Sequence, residues 1–151
     1  RGQILLQAAG RMSVIVHIYT DGGSRGNPGE GASAFIAVVE DRKGERVMRK
    51  RVERIGRSTN NEAEYKALII GLMWARSRDL ERVRIHSDSQ MMVRQLKGHY
   101  RVKAPNILPL YRKAMELLKG VEWDVRHHSR NNKWISRCDE LVNRALDAPG
   151  P

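Results

Sequence analysis

The chain has 151 residues, of which 40% are hydrophobic and 30% are charged. This length suits one domain with its own core. The share of hydrophobic residues excludes a chain that is too polar to fold. Because 28 Lys and Arg stand against 17 Asp and Glu, a formal charge of +11 favours a polyanionic partner such as nucleic acid. A single cysteine excludes an intramolecular disulfide, and no apolar run approaches the roughly 18 residues of a membrane span. We therefore expect a cytoplasmic protein that does not enter membranes.

The first residues carry only one short apolar run, residues 4–6, which is too short for a secretory signal. We interpret residues 1–12 as an N-terminal extension or a tag remnant, with Met12 as a candidate native start. Residues 13–148 are expected to form the domain, and residues 149–151 a short C-terminal tail.

Three strands are predicted first. Residues 14–20 are rich in β-branched and aromatic side chains and run into a Gly- and Pro-rich loop over residues 21–29. A second apolar run covers residues 34–39, and residues 41–44 (DRKG) form a hairpin turn. The third strand, over residues 47–55, carries many Arg and Lys, as suits an exposed edge. Three consecutive strands of this kind predict a meander.

The middle of the chain alternates between helix and strand. Thr59 and Glu62 are spaced as a capping box, so a helix is expected to begin there. Residues 83–87 form a short strand. Asp88 or Ser89 is placed to cap the second helix.

The remaining elements are two helices and a strand. Asn106 is expected to cap the third helix, and the alternation of residues 121–125 predicts the fifth strand. An apolar stripe defines the last helix: Ile135, Cys138, Leu141, Val142 and Ala145. The order βββαβααβα favours an α/β fold with a mixed five-stranded sheet and helices on both faces. Trp74, Trp123 and Trp134 lie on predicted inner faces and are expected in the core.

Four acidic residues have informative positions. Asp21 and Asp88 are expected at the carboxyl ends of parallel strands, where ligands of α/β sheets bind. Glu64 shares the inner face of its helix, and Asp139 flanks the apolar stripe of the last helix. Each also has a simpler role available, as a turn residue, a helix cap, a partner of the helix dipole or a half-exposed side chain.

A cluster of these carboxylates would repel itself unless a cation neutralised it. Oxygen ligands of this type suit Mg²⁺ or Mn²⁺. Two such ions about 4 Å apart can activate water and stabilise the leaving oxygen of a phosphodiester.

Four segments resemble the motifs of type 1 ribonuclease H, in that family's order: residues 19–29 (YTDGGSRGNPG), 58–65 (STNNEAEY), 86–90 (HSDSQ) and 137–142 (RCDELV). The resemblance covers about residues 13–148. It implies the ribonuclease H-like fold, with sheet order 3-2-1-4-5. It also implies an endonuclease that cuts the RNA strand of RNA–DNA hybrids with two divalent ions, Mg²⁺ or Mn²⁺, leaving 3′-hydroxyl and 5′-phosphate ends.

The resemblance also implies site residues. Asp21, Glu64, Asp88 and Asp139 would bind the metal ions. His127 resembles the family's mobile histidine, although this chain has Arg126-His127-His128 where Gly-His is commoner, so His128 remains an alternative. Contacts to substrate are implied for seven further residues: Ser24, Asn27 and Gln90 to RNA, Asn60 and Asn61 near the minor groove, and Arg57 and Thr59 at a DNA phosphate.

Other features concern binding and alternatives. A short basic connection, residues 97–105, replaces the long basic insertion of some family members, so weaker binding to long hybrids is expected. A monomer is expected. The alternatives are an integrase- or resolvase-type nuclease, a non-catalytic module that binds hybrid or duplex RNA, and a domain of a reverse transcriptase.

Overall fold

A computed structural model describes residues 14–148 as a mixed sheet with flanking helices. Its strands are β1 (Val16–Gly26), β2 (Gly29–Asp41), β3 (Gly44–Ser58), β4 (Arg82–Ser87) and β5 (Glu122–His127). Its helices are α1 (Asn60–Ser77), α2 (Gln90–Leu96), α3 (Leu108–Leu117) and α4 (Lys133–Asp147). The predicted order of elements is confirmed. The predictions for residues 1–12 and 149–151 lie outside the described residues.

The sheet has the order β3-β2-β1-β4-β5. Short turns make β1, β2 and β3 an antiparallel meander, whereas helical crossovers make β1, β4 and β5 parallel. Both the α/β class and the predicted strand order are therefore confirmed. As predicted, the Arg- and Lys-rich β3 lies at an edge, where its charged side chains face solvent.

The two faces of the sheet bury separate parts of the core. Helices α1, α2 and α3 cover one face, with Phe35 and Leu68 fully buried there. Helix α4 covers the other face over β1, β2 and β3. Its Cys138 thiol is completely buried and donates a 3.4 Å hydrogen bond to the Tyr19 carbonyl.

The three tryptophans pack as predicted. Trp134 belongs to the core under α4, while Trp74 and Trp123 are partly buried against the core of the other face. Within residues 14–148, none of the helices is both long and apolar enough to span a bilayer.

Side-chain caps begin three of the four helices, and one prediction about them is wrong. The Thr59–Glu62 capping box is present, and Ser89 accepts a hydrogen bond from the Met92 N–H. Helix α3 instead begins after Ile107 without a side-chain cap. The predicted cap, Asn106, hydrogen-bonds the Glu62 carboxylate, so its side chain ties this connection to the start of α1.

Candidate active site

Asp21 and Asp88 have equivalent positions relative to the pairing of two neighbouring parallel strands, β1 and β4. The β1–β4 pairing ends at Tyr19 and His86, and each aspartate lies two residues further on. The prediction that Asp21 ends its strand, followed by a loop over residues 21–29, is wrong. Strand β1 continues to Gly26, because its antiparallel pairing with β2 persists after β4 has ended. Asp21 is thus held in mid-strand, only 6% exposed, beside the end of β4.

A close approach of α1 to β1 brings Glu64 to Asp21. A side chain at Gly22 would overlap the Ala63 carbonyl, so glycine is needed for the helix to lie directly on the strand. The Ser33 hydroxyl also donates to the Ala63 carbonyl at 2.7 Å, which fixes the first turns of the helix. Both the Asp21 and the Glu64 carboxylates accept a backbone hydrogen bond from Gly22.

Three carboxylates form the centre of the site. Oxygens of Asp21, Glu64 and Asp88 all lie within 4.8 Å of one another, which confirms the predicted clustering of these side chains. Asp139 lines the same open pocket of about 300 Å³ and hydrogen-bonds the Asp21 carboxyl. It is exposed, however, and stands outside the group of three. The structure thus brings together all four predicted acids, with Asp139 at the solvent side.

Burial and mutual repulsion make these acids hard to ionise. Burial, with the charges of Asp88 and Asp139, raises the pKa of Asp21 to about 8. Burial raises the pKa of Glu64 well above its usual value, and the charges of Asp21 and Asp88 add to this. Burial also raises the pKa of Asp88, although the Arg130 guanidinium opposes the shift. The site therefore favours added positive charge.

One buried oxygen fits a cation directly. Among the described residues, Glu64 Oε1 is buried without a hydrogen-bond partner. A buried carboxylate oxygen without a donor is costly, and a hard divalent cation satisfies it. The acidic residues present therefore fit a divalent metal ion.

The loop between β5 and α4 supplies positive charge at the rim. Arg130 lies 3.9 Å from Asp88 in an ion pair, a contact that sequence reasoning missed because loop arginines carry no periodic signal. His127 ends β5 opposite Ser87 with its side chain exposed, near enough that a positive charge there would lower the pKa of Asp88. His128 is different: its ring is half-buried and lies 2.6 Å from the His86 ring, nitrogen to nitrogen.

Ser24, Asn27 and Asn60, three of the residues predicted to contact the substrate, form a hydrogen-bonded group beside the acids. The Asn60 side chain accepts from the Ser24 N–H at 2.9 Å, and the Asn27 side chain accepts from the Asn60 N–H at 3.0 Å. These bonds join the β1–β2 hairpin to the start of α1. Asn61 and Gln90 are exposed at the first turns of α1 and α2.

The two residues predicted at a DNA phosphate lie just before the first turn of α1. Thr59 caps the helix, and Arg57 is exposed near the end of β3. Arg25 and Asn143, which sequence reasoning did not single out, also line the acidic pocket. Arg25 bonds Asn143 at 3.3 Å and Asp147 at 2.8 Å, so it bridges β1 to α4.

Comparison with known proteins supports the resemblance that the sequence motifs indicated. A family model described as reverse transcriptase-like matches residues 20–145. The ribonuclease HI of Halobacterium salinarum is 38% identical over 87% of this chain. Its crystal structure has a TM-score of 0.79, with 88% of this chain and 98% of that one covered. This chain belongs to the type 1 ribonuclease H family.

A further type 1 ribonuclease H is known with a ligand. LC11-RNase H1, solved in complex with an RNA/DNA hybrid, is 36% identical with a TM-score of 0.77, covering 87% of this chain and 96% of that one. Two of the curated relatives are considerably longer than the part that this chain matches. This chain spans 64% of the length of the Halobacterium protein. It is also 37% identical to a bifunctional protein of Mycobacterium tuberculosis, of which it spans 36%.

Proposed function

We propose that this type 1 ribonuclease H cleaves the RNA strand of RNA–DNA hybrids as a metal-dependent endonuclease. The observation that carries the proposal is the cluster of the buried Asp21 with the partly buried Glu64 and Asp88, in which the buried Glu64 Oε1 lacks a donor. The hybrid bound to LC11-RNase H1 supports the choice of substrate.

The four acids would hold two divalent ions, Mg²⁺ or Mn²⁺. Asp21, Glu64 and Asp88 offer oxygens close enough to share ions, and Asp139 adds a carboxylate on the exposed side. When bound, such ions activate a water molecule and stabilise the charge on the leaving oxygen. Because metal binding requires ionised carboxylates, their raised pKa values make affinity increase with pH.

The reaction is a hydrolysis. Water oxygen bonds to phosphorus while the bond from phosphorus to the 3′-oxygen breaks, so the products are a 5′-phosphate and a 3′-hydroxyl. His127, exposed at the rim within electrostatic reach of Asp88, transfers protons or assists product release.

Hybrid recognition requires contacts to 2′-hydroxyls on one strand only. We assign RNA contacts to Ser24, Asn27 and Gln90, and minor-groove contacts to Asn60 and Asn61. The hydrogen bonds that already join Ser24, Asn27 and Asn60 reduce the ordering cost of binding.

A second set of contacts concerns the backbone of the substrate. Arg57 and Thr59 receive a phosphate of the DNA strand, helped by the positive end of the α1 helix dipole. The basic connection over residues 97–105 adds phosphate contacts, but its shortness predicts weaker binding to long hybrids. We assign this activity to a monomer in the cytoplasm, in keeping with a single cysteine that is buried.

The deciding experiment is a cleavage gel with 5′-labelled RNA in an RNA–DNA hybrid, run with Mg²⁺ and with EDTA. Wild type is expected to cut only the hybridised RNA, and only with metal. Asp21→Asn is expected to be inactive while folded, whereas Glu140→Gln, which removes an exposed acid outside the pocket, is expected to retain activity. Hybrid binding without cleavage would instead identify a binding module, and an active Asp21→Asn would contradict the metal assignment.

A further inference from the structure

Three histidine side chains form a hydrogen-bonded series on the α4 side of the sheet. His17 Nδ1 lies 2.9 Å from His86 Nε2, and His86 Nδ1 lies 2.6 Å from His128 Nε2. The His86 ring is only 5% exposed and stacks on Tyr19 with ring centroids 4.1 Å apart. None of these three histidines has a role in the proposed chemistry.

The far end of the series fixes the direction of every hydrogen bond in it. Asn132 Oδ1 accepts from the backbone N–H groups of Trp134 and Ile135, at 2.9 and 3.1 Å. Its amide nitrogen therefore points to His128 Nδ1, at 3.5 Å, and can only donate.

One tautomer follows for each neutral ring in turn. Since His128 Nδ1 accepts, His128 carries its proton on Nε2 and donates to His86 Nδ1. His86 then carries its proton on Nε2 and donates to His17 Nδ1. A group that only donates at one end thus orders the whole series.

The series joins the elements that carry the rim of the acidic pocket. His86 lies on β4 just before Asp88, and Asn132 caps α4, the helix of Asp139. The His128 backbone N–H also donates to the Ser87 carbonyl at 2.9 Å. Next to these anchors, His127 ends β5 opposite Ser87, and Arg130 lies in the loop that follows, 3.9 Å from Asp88.

We propose that His86 and His128 are positioning residues, which hold the end of β5 and the loop that follows it so that His127 faces the acidic cluster during cleavage. This inference rests on the proposed function. It assigns no contact with substrate to either ring. The hydrogen bond that His86 donates to His17 and the one that His128 accepts from Asn132 keep the two rings in one orientation.

The first test compares two substitutions at the centre of the series. His86→Phe keeps a ring on Tyr19 but removes both hydrogen bonds, and is expected to lower kcat about tenfold with KM within about twofold. His86→Gln offers one acceptor and one donor, so its kcat is expected to lie within about threefold of wild type. Equal losses in the two variants, or a loss confined to KM, would overturn the proposal.

The second test asks whether the effect passes through His127. In a His127→Ala background, His86→Phe is expected to cause no further loss of kcat, because the group being positioned is gone. A full additional tenfold loss would show that the ring has a general structural role and would overturn the proposal.

The third test does not depend on activity. Nitrogen-15 NMR of the imidazoles in wild type is expected to show Nε2–H tautomers for His17, His86 and His128. In His86→Phe, His128 is expected to keep this tautomer because Asn132 still donates to its Nδ1, whereas His17 is expected to show mixed tautomers because it has lost its donor. Mixed tautomers in an active wild type would overturn this inference alone. Ordered tautomers in a wild type that does not cut hybrid would overturn the proposed function, and with it the catalytic part of the inference.

Discussion

The carboxylates of the acidic pocket and the imidazoles of the histidine series differ in how completely their polar atoms are hydrogen-bonded. Asp21 and Glu64 share a single backbone donor, and Glu64 Oε1 has none among the described residues. In contrast, both ring nitrogens of His86 and of His128 have partners. Here, a buried carboxylate oxygen without a hydrogen-bond partner indicates a site for a ligand. Imidazoles whose nitrogens all have partners indicate a network that keeps neighbouring residues in place. The comparison therefore separates the residues that bind from those that position.

The largest expected effect comes from removing a carboxylate from the pocket. Asp139→Asn is expected to lower kcat about 1,000-fold, because a loss of about 4 kcal/mol of transition-state stabilisation has that size. Steady-state cleavage of hybrid in Mg²⁺ measures it, with Glu140→Gln as the control on the same helix. If the two substitutions cost the same, general loss of negative charge rather than metal binding is the cause.

The second effect concerns stability of the metal-free protein at alkaline pH. The raised pKa of Asp21, about 8, means that the folded state holds a proton which the unfolded state releases near pH 4. Stability is therefore present at low pH and is lost as pH rises towards 8. We expect Asp21 to contribute a loss of about 2 kcal/mol between pH 6.5 and 8. The raised pKa of Glu64 acts in the same direction.

Urea unfolding in EDTA at several pH values measures this loss. Asp21→Asn is expected to flatten the dependence, and Mg²⁺ is expected to restore stability to wild type at pH 8. A wild-type stability that does not change over this range would contradict strain among the acids.

The imidazoles predict the opposite trend at acid pH. Burial, with the charges of His17 and His128, lowers the pKa of His86 to about 3. The unfolded state then takes up a proton that the folded state refuses, so the stability present above pH 6.5 is lost as pH falls. We expect His86 to contribute a loss of about 2 kcal/mol between pH 6.5 and 5.

Comparison of wild type with His86→Phe isolates this contribution, because both retain the acids. The variant is expected to lose less stability than wild type over the same range. Parallel unfolding curves for the two proteins at pH 6.5 and at pH 5 would mean that His86 is not buried as a neutral ring.

The smallest expected effect is at the rim. His127→Ala is expected to lower kcat about tenfold without abolishing cleavage, since a proton-transfer group assists a reaction that the metal site still supports. Single-turnover and steady-state cleavage rates measure whether chemistry or product release slows. A kcat unchanged from wild type would transfer the role to His128.

Local sequence patterns predicted much of the fold because helix caps and strand alternation depend on residues that are close together in the sequence. The Thr59–Glu62 capping box and the alternation in β5 are set by near neighbours, and both appear where predicted. Asp21 was misplaced at a strand end because the glycines after it read as a loop. Pairing with β2, which no local signal shows, keeps that segment extended.

The site was predictable only in part for the same reason. The four acids were found from their motifs and their expected faces, yet the exposure of Asp139 depends on how α4 lies across the sheet. The imidazole series joins His17 to His86 across 69 positions and His86 to His128 across 42. Such contacts follow from strand order and register, so they emerge only once the sheet is known.

The buried thiol of Cys138 can be used to monitor the detachment of α4 from the sheet. It is completely buried beneath α4, and burial raises its pKa well above the usual value, so a thiol reagent meets neither an accessible nor an ionised sulfur in the folded state. No other cysteine competes for reagent, since the chain has one. The rate of labelling at this single sulfur therefore depends on the fraction of molecules in which α4 has separated from the sheet.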